Sequence, residues 1–241
     1  MKTHRLFSRM LSFVFVPRCL SCKEVLTEHD GILCHMCRIR YDMLCHRKCR
    51  ACGNDICSCD CTKEGIAAHG VWRLSKLCAY LPREKNSPIK AMLYNLKSKN
   101  NADVHDFFAD EMAHLIRRKC PQYSQYTLCY VPRSTAAYKK YGYDHMQQLS
   151  YKVADKLGIS CEAVFAREKI SRVQKQLSRE DRFENVQKSI KLSHKATDPS
   201  DRRYILLDDV CVTGASLGRC ATLLINKNAR EVRCFVIATR P

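Results

Sequence analysis

Apolar and polar positions change their periodicity along the chain, and from residue 127 onward strand-like and helix-like patterns alternate. Short apolar runs at 127–131, 204–207 and 233–238 have the length of buried strands, and Pro132 stops the first of them. Helical spacing of apolar residues follows at 146–157 and 217–227. This alternation predicts an α/β fold in which a parallel sheet is flanked by helices through right-handed crossovers.

The segments before residue 127 add further elements to this pattern. Apolar residues at 65–80 suggest strands, and Pro88 at an early position predicts a helix over 88–97. Residues 102–120 form a second helix with one apolar face. Residues 158–166 are expected to lead into one more strand.

The first 64 residues have a different character. Apolar residues at helical spacing predict an amphipathic helix at 1–16; a signal peptide is disfavoured, because this run reaches Pro17 without a small-residue cleavage site. Residues 17–64 are polar and rich in cysteine, with no periodicity long enough to fill a core, so a metal is expected to hold them together. We therefore predict a module at 1–64 and an α/β domain at 65–241.

Composition narrows the class of protein. The chain has 241 residues, 46% of them hydrophobic, and no apolar run long enough to span a membrane. Its net charge is +18, and residues 65–241 carry 31 of the 42 basic and 17 of the 24 acidic side chains. Such a field favours polyanions such as nucleotides, pyrophosphate or single-stranded nucleic acid. A basic enzyme whose charge only keeps it soluble is the alternative.

Cysteine usage bears on the compartment. The chain has 17 cysteines, of which ten lie between residues 19 and 61 and the others are scattered singly through apolar segments. Scattered apolar cysteines are typical of reduced proteins, and a secreted disulfide scaffold would be shorter and carry a clear signal. We therefore expect a reducing compartment, the cytoplasm.

Paired cysteines predict zinc sites. Two Cys-x-x-Cys pairs, Cys19 with Cys22 and Cys34 with Cys37, supply four thiolates for one closed, structural zinc site. A second zinc is predicted at Cys49, Cys52 and two of three further cysteines, with Cys45 and His46 spare; a redox-labile cluster is the alternative. The candidates for the last two ligands are Cys57, Cys59 and Cys61.

One thirteen-residue stretch, 204–216, combines the parts of a sugar-phosphate site. The apolar run at 204–207 is followed by Asp208 and Asp209, expected at the carboxyl end of the strand, where open α/β sheets bind ligands. A small-residue loop then leads into a helix, and its backbone N–H groups and hydroxyls can hold a phosphate. The loop consists of Val212, Thr213, Gly214, Ala215 and Ser216.

This stretch resembles the phosphoribosyl-pyrophosphate (PRPP) motif of type I phosphoribosyltransferases, with Val212 in place of the first threonine. The resemblance implies a type I phosphoribosyltransferase-like fold. It also implies that the loop binds the 5′-phosphate and that Asp208 and Asp209 act in catalysis, stabilising charge on the ribose as pyrophosphate leaves. Mg²⁺ would be bound by pyrophosphate and the ribose hydroxyls. Arg133, after the 127–131 strand, would lie in the loop that holds pyrophosphate; an ordinary basic loop is nearly as good an interpretation.

A zinc-ribbon module joined to such a domain resembles the ComF/GntX family, a resemblance that covers nearly the whole chain. It rests on the apolar residues before Pro17 and Cys19, on Leu96-Lys97, and on Val131-Pro132 followed by 141–145, where Tyr141 and Asp144 replace the family's Arg and Asn. A further match lies in Gln174, Leu177, Ser178, Arg182, Asn185 and Val186. The resemblance implies that this segment closes over the substrate, with positive charge from Arg172, Lys175, Arg179 and Arg182.

The resemblance implies a PRPP-binding protein of DNA uptake in natural transformation, which holds single-stranded DNA in the cytoplasm. A competence helicase is the partner protein such a role would imply. Two other functions stay open: an active phosphoribosyltransferase acting on a base or amine, and a zinc-ribbon adaptor with a vestigial transferase fold. No segment resembles the hood that selects a base, which counts against the enzyme. The intact acids and the Thr213-Gly214 pair count against the adaptor.

Overall fold

A computed structural model gives the structure of the protein, and it describes residues 16–28, 30–62, 64–67, 71, 73–168 and 188–240. The helix expected at 1–16, apart from its last residue, and the charged segment at 172–186 lie outside these residues. The helices are α1 (His35–Cys45), α2 (Glu64–Ala67), α3 (Pro88–Ser98), α4 (Ala102–Lys119), α5 (Thr135–Tyr141), α6 (His145–Leu157) and α7 (Ala215–Ile225). The strands are β1 (Leu74–Ala79), β2 (Thr127–Tyr130), β3 (Phe165–Arg167), β4 (Ile190–Leu192), β5 (Arg203–Cys211) and β6 (Glu231–Thr239).

Four of the strands form one parallel sheet, in the order β1-β6-β5-β2. Strand β5 lies between β2 and β6 and pairs with both in parallel. The helices α6 and α7 connect successive strands, so that the fold is the predicted α/β arrangement of a parallel sheet flanked by helices. None of the helices in the described part of the chain is long and apolar enough to cross a membrane.

The two faces of the sheet carry separate apolar clusters, because side chains alternate along a strand. Ile205 and Leu207 of β5 face a cluster that includes the buried residues of α3, α4 and α6. Tyr204 and Leu206 face a second cluster, built with α7. Helices α3, α4 and α6 thus pack on one face of the sheet, and α7 packs on the other. The acidic residues near the end of β5 are therefore approached from both faces.

Strand β5 is longer than the sequence predicts. It continues through the acidic pair, with Asp208 opposite Val236 and Val210 opposite Ala238, whereas the expected strand ended at residue 207. The reason is that β6 runs on beside it to Thr239 and supplies further backbone partners. Helix α7 begins two residues earlier than expected, so that Ser216 lies in its first turn.

Two other expectations require correction. Within 65–80, the residues that the structure describes form part of the short helix α2 and the single strand β1 rather than several strands. The strand after 158–166, β3, pairs antiparallel with β4 in a separate two-stranded sheet, outside the parallel sheet. Residues 169–187 lie outside the described part of the chain. The residues on either side of that segment are close together, since Arg167 lies opposite Ile190.

The cysteine-rich segment shares its core with the sheet. Helix α1 buries Tyr41 completely, and the tyrosine ring meets Phe107 of α4 edge to face at 5.4 Å. The Arg38 guanidinium lies over both rings and pairs with Glu111 of α4 at 3.2 Å. The expected lack of a core therefore holds only for the segment in isolation. The boundary at residue 64 stays a prediction.

Candidate functional site

The two adjacent acids, Asp208 and Asp209, lie near the carboxyl end of β5 and face different surroundings. The Asp208 carboxylate accepts the backbone N–H of Asp209 at 2.9 Å, and the Asp209 carboxylate accepts that of Val210. Asp209 is buried, and Asp208 is partly exposed. The strand thus presents two acidic side chains of unequal character at the position that the sequence motif indicates.

Asp209 is held by two basic side chains from different helices. The Lys97 ammonium of α3 lies 2.9 Å from its Oδ2, and the His145 Nε2 of α6 lies 2.5 Å from the same oxygen. Although burial raises its pKa, the charges of Lys97 and His145 and the hydrogen bonds they make lower it well below the ordinary range. Asp209 is therefore ionised throughout the physiological range.

Asp208 has the opposite character. Burial and the neighbouring charge of Asp209 raise its pKa to about 8, while the more distant cations Lys97 and Arg167 lower it only in part. Two coupled carboxyls on adjacent residues do not readily ionise together. At neutral pH the pair consequently carries one negative charge, on Asp209, and one carboxylic acid that can donate a hydrogen bond.

Helix α6 places His145 through a cap of its own. The Asp144 carboxylate accepts the backbone N–H groups of Met146 and Gln147, which is an N-cap interaction. It also accepts the N–H of Arg133 at 2.8 Å, so that the loop after β2 and the start of α6 are fixed to each other. Asp144 thus acts as a capping side chain for α6.

Arg133 makes structural contacts that the sequence does not reveal. Its guanidinium donates to the carbonyl oxygens of Lys97 and Tyr143 and lies over the Tyr141 and Tyr143 rings, at 4.5 and 5.1 Å from their centroids. These contacts fix the end of α3, which carries Lys97. A role in binding pyrophosphate stays a prediction for Arg133.

The predicted phosphate loop lies at the start of α7. Val212 and Thr213 are exposed, and Gly214, with a φ of 80°, is the N-cap of the helix. The Thr213 Oγ1 accepts the Ala215 N–H at 3.4 Å. The first N–H groups of a helix lack intrahelical acceptors, so the turn from Gly214 to Ser216 offers donors to an anion. The structure thus brings the loop to the end of the strand that bears the acids.

Two groups of four cysteines could each hold a metal. The ligand atoms of Cys19, Cys22, Cys34 and Cys37 lie within 4.8 Å of one another, and so do those of Cys49, Cys52, Cys59 and Cys61. The structure therefore selects Cys59 and Cys61 from the three candidates for the second site. Cys57, the third candidate, lies outside this group: it is buried, with its thiol 3.9 Å from the Ser58 hydroxyl.

Backbone geometry suits these cysteines to metal binding. Burial raises the pKa of Cys19, but hydrogen bonds from the backbone at Cys22, Cys34 and Ser21 bring it down to about 6. Burial likewise raises the pKa of Cys49, and backbone hydrogen bonds from Ala51 and Cys52 lower it to about 7. In the same two groups, burial and hydrogen bonds to neighbouring cysteines raise the pKa of Cys37 and Cys59 to about 12. Each group therefore offers one thiol that ionises readily, and a metal that binds there must displace protons from the others. Four thiolates fit a closed, structural zinc site.

Sequence reasoning missed three basic residues near the acids: Lys97, His145 and Arg167. The first two carried a family resemblance but no role, and Arg167 carried neither. Since 64 positions separate His145 from Asp209, no local spacing could reveal that contact. Besides that resemblance, the available signal was the position of each residue near the end of a helix or strand.

The comparison with protein families gives one match. Residues 147–241 match the phosphoribosyl transferase domain. The match covers less than half of the chain and includes the acids, the loop and α6 from its third residue onward, so that His145 lies just before it. The carboxyl-terminal part of the chain is therefore a phosphoribosyltransferase-type domain, as the fold class predicts. No curated protein sequence matches the chain significantly.

Several solved structures are similar to the chain at low identity. The allosteric regulatory enzyme of purine biosynthesis is 17% identical, with a TM-score of 0.40, over 59% of this chain and 29% of that chain. Adenine phosphoribosyltransferase from Saccharomyces cerevisiae is 12% identical, with a TM-score of 0.38, over 65% of this chain and 75% of that chain. A hypoxanthine phosphoribosyltransferase from Staphylococcus aureus is 11% identical, with a TM-score of 0.36, over 57% and 64%.

Proposed function

We propose that the protein binds PRPP at the end of β5. The 5′-phosphate would accept hydrogen bonds from the start of α7, and the ribose hydroxyls would meet Asp208 and Asp209. The observation that carries this proposal is the placement of two adjacent carboxyls near the end of β5, one of them held by Lys97 and His145, beside the N-cap turn of α7. Such a pair can accept one ribose hydroxyl proton and donate to the other oxygen, while the turn binds phosphate.

Magnesium is expected to arrive with the substrate. Both Asp209 oxygens are engaged, Oδ2 with Lys97 and His145 and Oδ1 with Val210, and Asp208 is mostly protonated at neutral pH. Neither acid is thus a ready ligand for a hard cation, which prefers ionised, uncommitted oxygens. When bound, Mg²⁺ would neutralise pyrophosphate charge, and the acids of the chain would orient the ribose.

The direct test is calorimetric titration with PRPP in the presence of Mg²⁺. Replacing both acids by Asn should weaken binding by about tenfold or more, since each charge-assisted hydrogen bond contributes roughly 1.5–3 kcal/mol. Asp198→Asn with Asp201→Asn is the matched control, because both acids precede β5 on the surface. Equal PRPP affinity of the wild type and the acid-pair variant would contradict the proposal.

We further propose a ComF-type role, in which this PRPP-binding protein takes part in DNA uptake and holds single-stranded DNA in the cytoplasm. A specific surface supports DNA binding. Tyr138, Lys139 and Lys140 are exposed on α5, and Arg133 and Lys140 lie over the Tyr141 ring at 4.5 and 4.9 Å. Cations interleaved with aromatic rings are typical of surfaces that bind single strands. We call these five residues the α5 surface.

Salt dependence tests the α5 surface. If about four phosphates are neutralised, the affinity for single-stranded DNA should fall with a log–log slope near −3. Lys139→Glu with Lys140→Glu should weaken binding. The control is Lys227→Glu with Arg230→Glu, two exposed basic residues just after the carboxyl end of α7, which should leave binding nearly unchanged. Binding that is absent at low salt, or equal in both double variants, would contradict this role. A competence helicase partner rests on the family resemblance alone.

The alternative proposal is an active phosphoribosyltransferase, for which the same site would release pyrophosphate to an attacking base or amine. It shares the acids and the loop with the binding proposal, and differs in requiring an acceptor. Release of pyrophosphate from PRPP in the presence of a panel of bases and amines, abolished by Asp209→Asn, would favour the enzyme. Tight PRPP binding without turnover would favour the ComF-type role.

A further inference from the structure

A buried isoleucine of the short helix α2 lies directly against the predicted phosphate loop. Ile66 is fully buried and belongs to the apolar cluster that α7 forms with the sheet. A methyl group placed on Gly214 would come within 2.0 Å of the Ile66 Cγ1, so the isoleucine occupies the space next to that glycine. Since Gly214 is the N-cap of α7, Ile66 supports the turn whose N–H groups would bind phosphate.

Helix α2 cannot hold this position by itself. It has four residues, and an isolated helix of that length is unstable in water. Its position therefore depends on the chain on either side and on the contact with α7. The segment just before it is fixed to β1: the Ser75 hydroxyl and the Leu74 N–H donate to Asp60, at 2.8 and 3.2 Å.

The same segment contains two ligands of the second cysteine cluster, Cys59 and Cys61. The Lys76 ammonium donates to the Cys61 carbonyl at 2.6 Å, and four residues lie between this cysteine and Ile66. A metal at the second cluster would thus fix one end of the short link that leads to the phosphate loop. The first cluster instead includes the start of α1, because Cys34 is the N-cap of this helix and Cys37 lies within it, and α1 packs on α4.

We propose that Ile66 is a positioning residue for the phosphate loop, and that metal at the second cluster, Cys49, Cys52, Cys59 and Cys61, holds it in place. Phosphate binding then depends on the second cluster and not on the first. The proposal deepens the PRPP-binding function and rests on it for the ligand. The ordering of the loop by Ile66 is independent of that function.

Two substitutions separate positioning from simple core packing. Ile66→Ala should raise amide hydrogen exchange at 212–218 and weaken binding of PRPP with Mg²⁺ by about fivefold or more, since a loosened turn must be ordered on binding. Leu224→Ala, fully buried in the same cluster on α7, should lower thermal stability with little change in either readout. Ile66→Val should restore both. Unchanged exchange in Ile66→Ala would overturn the proposal.

The two clusters provide the matched control for the metal. Cys59→Ser should reduce bound zinc by one per chain, raise exchange at 212–218 and weaken PRPP binding, whereas Cys22→Ser should also lose one zinc but leave both readouts near wild type. Equal effects of the two variants would overturn the link. If the variants show the expected differences in exchange at 212–218 but the wild-type protein binds no PRPP, the proposed function is refuted and the positioning role of Ile66 is retained.

Discussion

At the scale of single residues, the acidic pair shows how environment divides identical side chains. Asp208 and Asp209 are adjacent, yet only Asp209 forms ion pairs with Lys97 and His145. That difference makes one of them an acceptor and the other a potential donor at neutral pH. A sugar with neighbouring hydroxyls, which both donate and accept, is complementary to such a pair.

The raised pKa of Asp208 predicts how stability depends on pH. Its pKa is 3.8 in the unfolded chain and about 8 in the folded protein. Between these pH values the folded protein therefore binds one proton more than the unfolded chain does. The free energy of unfolding should therefore decrease as pH rises from about 4 to about 8 through this group. Asp208→Asn cannot ionise and should gain stability relative to wild type across that window. Urea unfolding at several pH values checks this; a constant difference between the two proteins would contradict it.

The ion pair at Asp209 predicts a coupling between two distant positions. Lys97→Met leaves a buried carboxylate with His145 alone and should destabilise the protein by about 1–3 kcal/mol. In the double variant with Asp209→Asn, most of this loss should disappear, because the unpaired charge is gone. Lys99→Met, an exposed neighbour, is the control and should change stability little. Additive losses in the double variant would show that the two side chains do not interact.

At the scale of secondary-structure elements, the turn before α7 is the most demanding part of the fold. Its N-cap, Gly214, adopts a positive φ and also lies against Ile66. Gly142, which ends α5, has a φ of 79° and open space around it. The two glycines thus share a positive φ but differ in crowding.

This difference gives a matched pair of substitutions. Gly142→Ala should destabilise the protein by about 1 kcal/mol, since an L-residue at that φ is strained. Gly214→Ala adds a clash, for which overpacking typically contributes about 1–3 kcal/mol more, and it should also weaken PRPP binding. Denaturant unfolding measures both. Equal losses in the two variants would mean that Ile66 moves aside freely.

At the scale of the whole molecule, the cysteine-rich segment and the sheet share an apolar cluster. Cys37, Tyr41 and Ile56 belong to the same buried set as Phe108 and Leu207. Arg118 and Lys119 of α4 also donate to the carbonyl oxygens of Cys57 and Ser58, at 2.7 and 2.5 Å. Loss of structure in one part therefore exposes apolar surface of the other.

This continuity predicts the effect of metal removal. Protein purified under reducing conditions should carry two zinc ions per chain, and a strong chelator should lower the melting temperature of the whole chain rather than unfold one segment alone. Circular dichroism and metal analysis together make the measurement. Two separate transitions after chelation, with the second unchanged, would show that the segment and the sheet are independent.

The sequence by itself determined the local elements and the chemistry of the motif. Apolar runs and helical spacing predicted the sheet strands and most helices, because burial and periodicity are properties of neighbouring residues. The cysteine pairs and the stretch at 204–216 indicated metal binding and a sugar-phosphate site, because those groups must follow one another closely in the chain. The first cysteine cluster forms among the residues that their spacing indicated.

Only the tertiary structure decided which distant side chains complete the site. It selected Cys59 and Cys61 over Cys57, extended β5 through the acids because β6 continues beside it, and brought Lys97 and His145 to Asp209. It also placed Ile66 against Gly214. These contacts join segments separated by tens of residues, and they depend on how helices pack on the two faces of the sheet, which local periodicity does not encode.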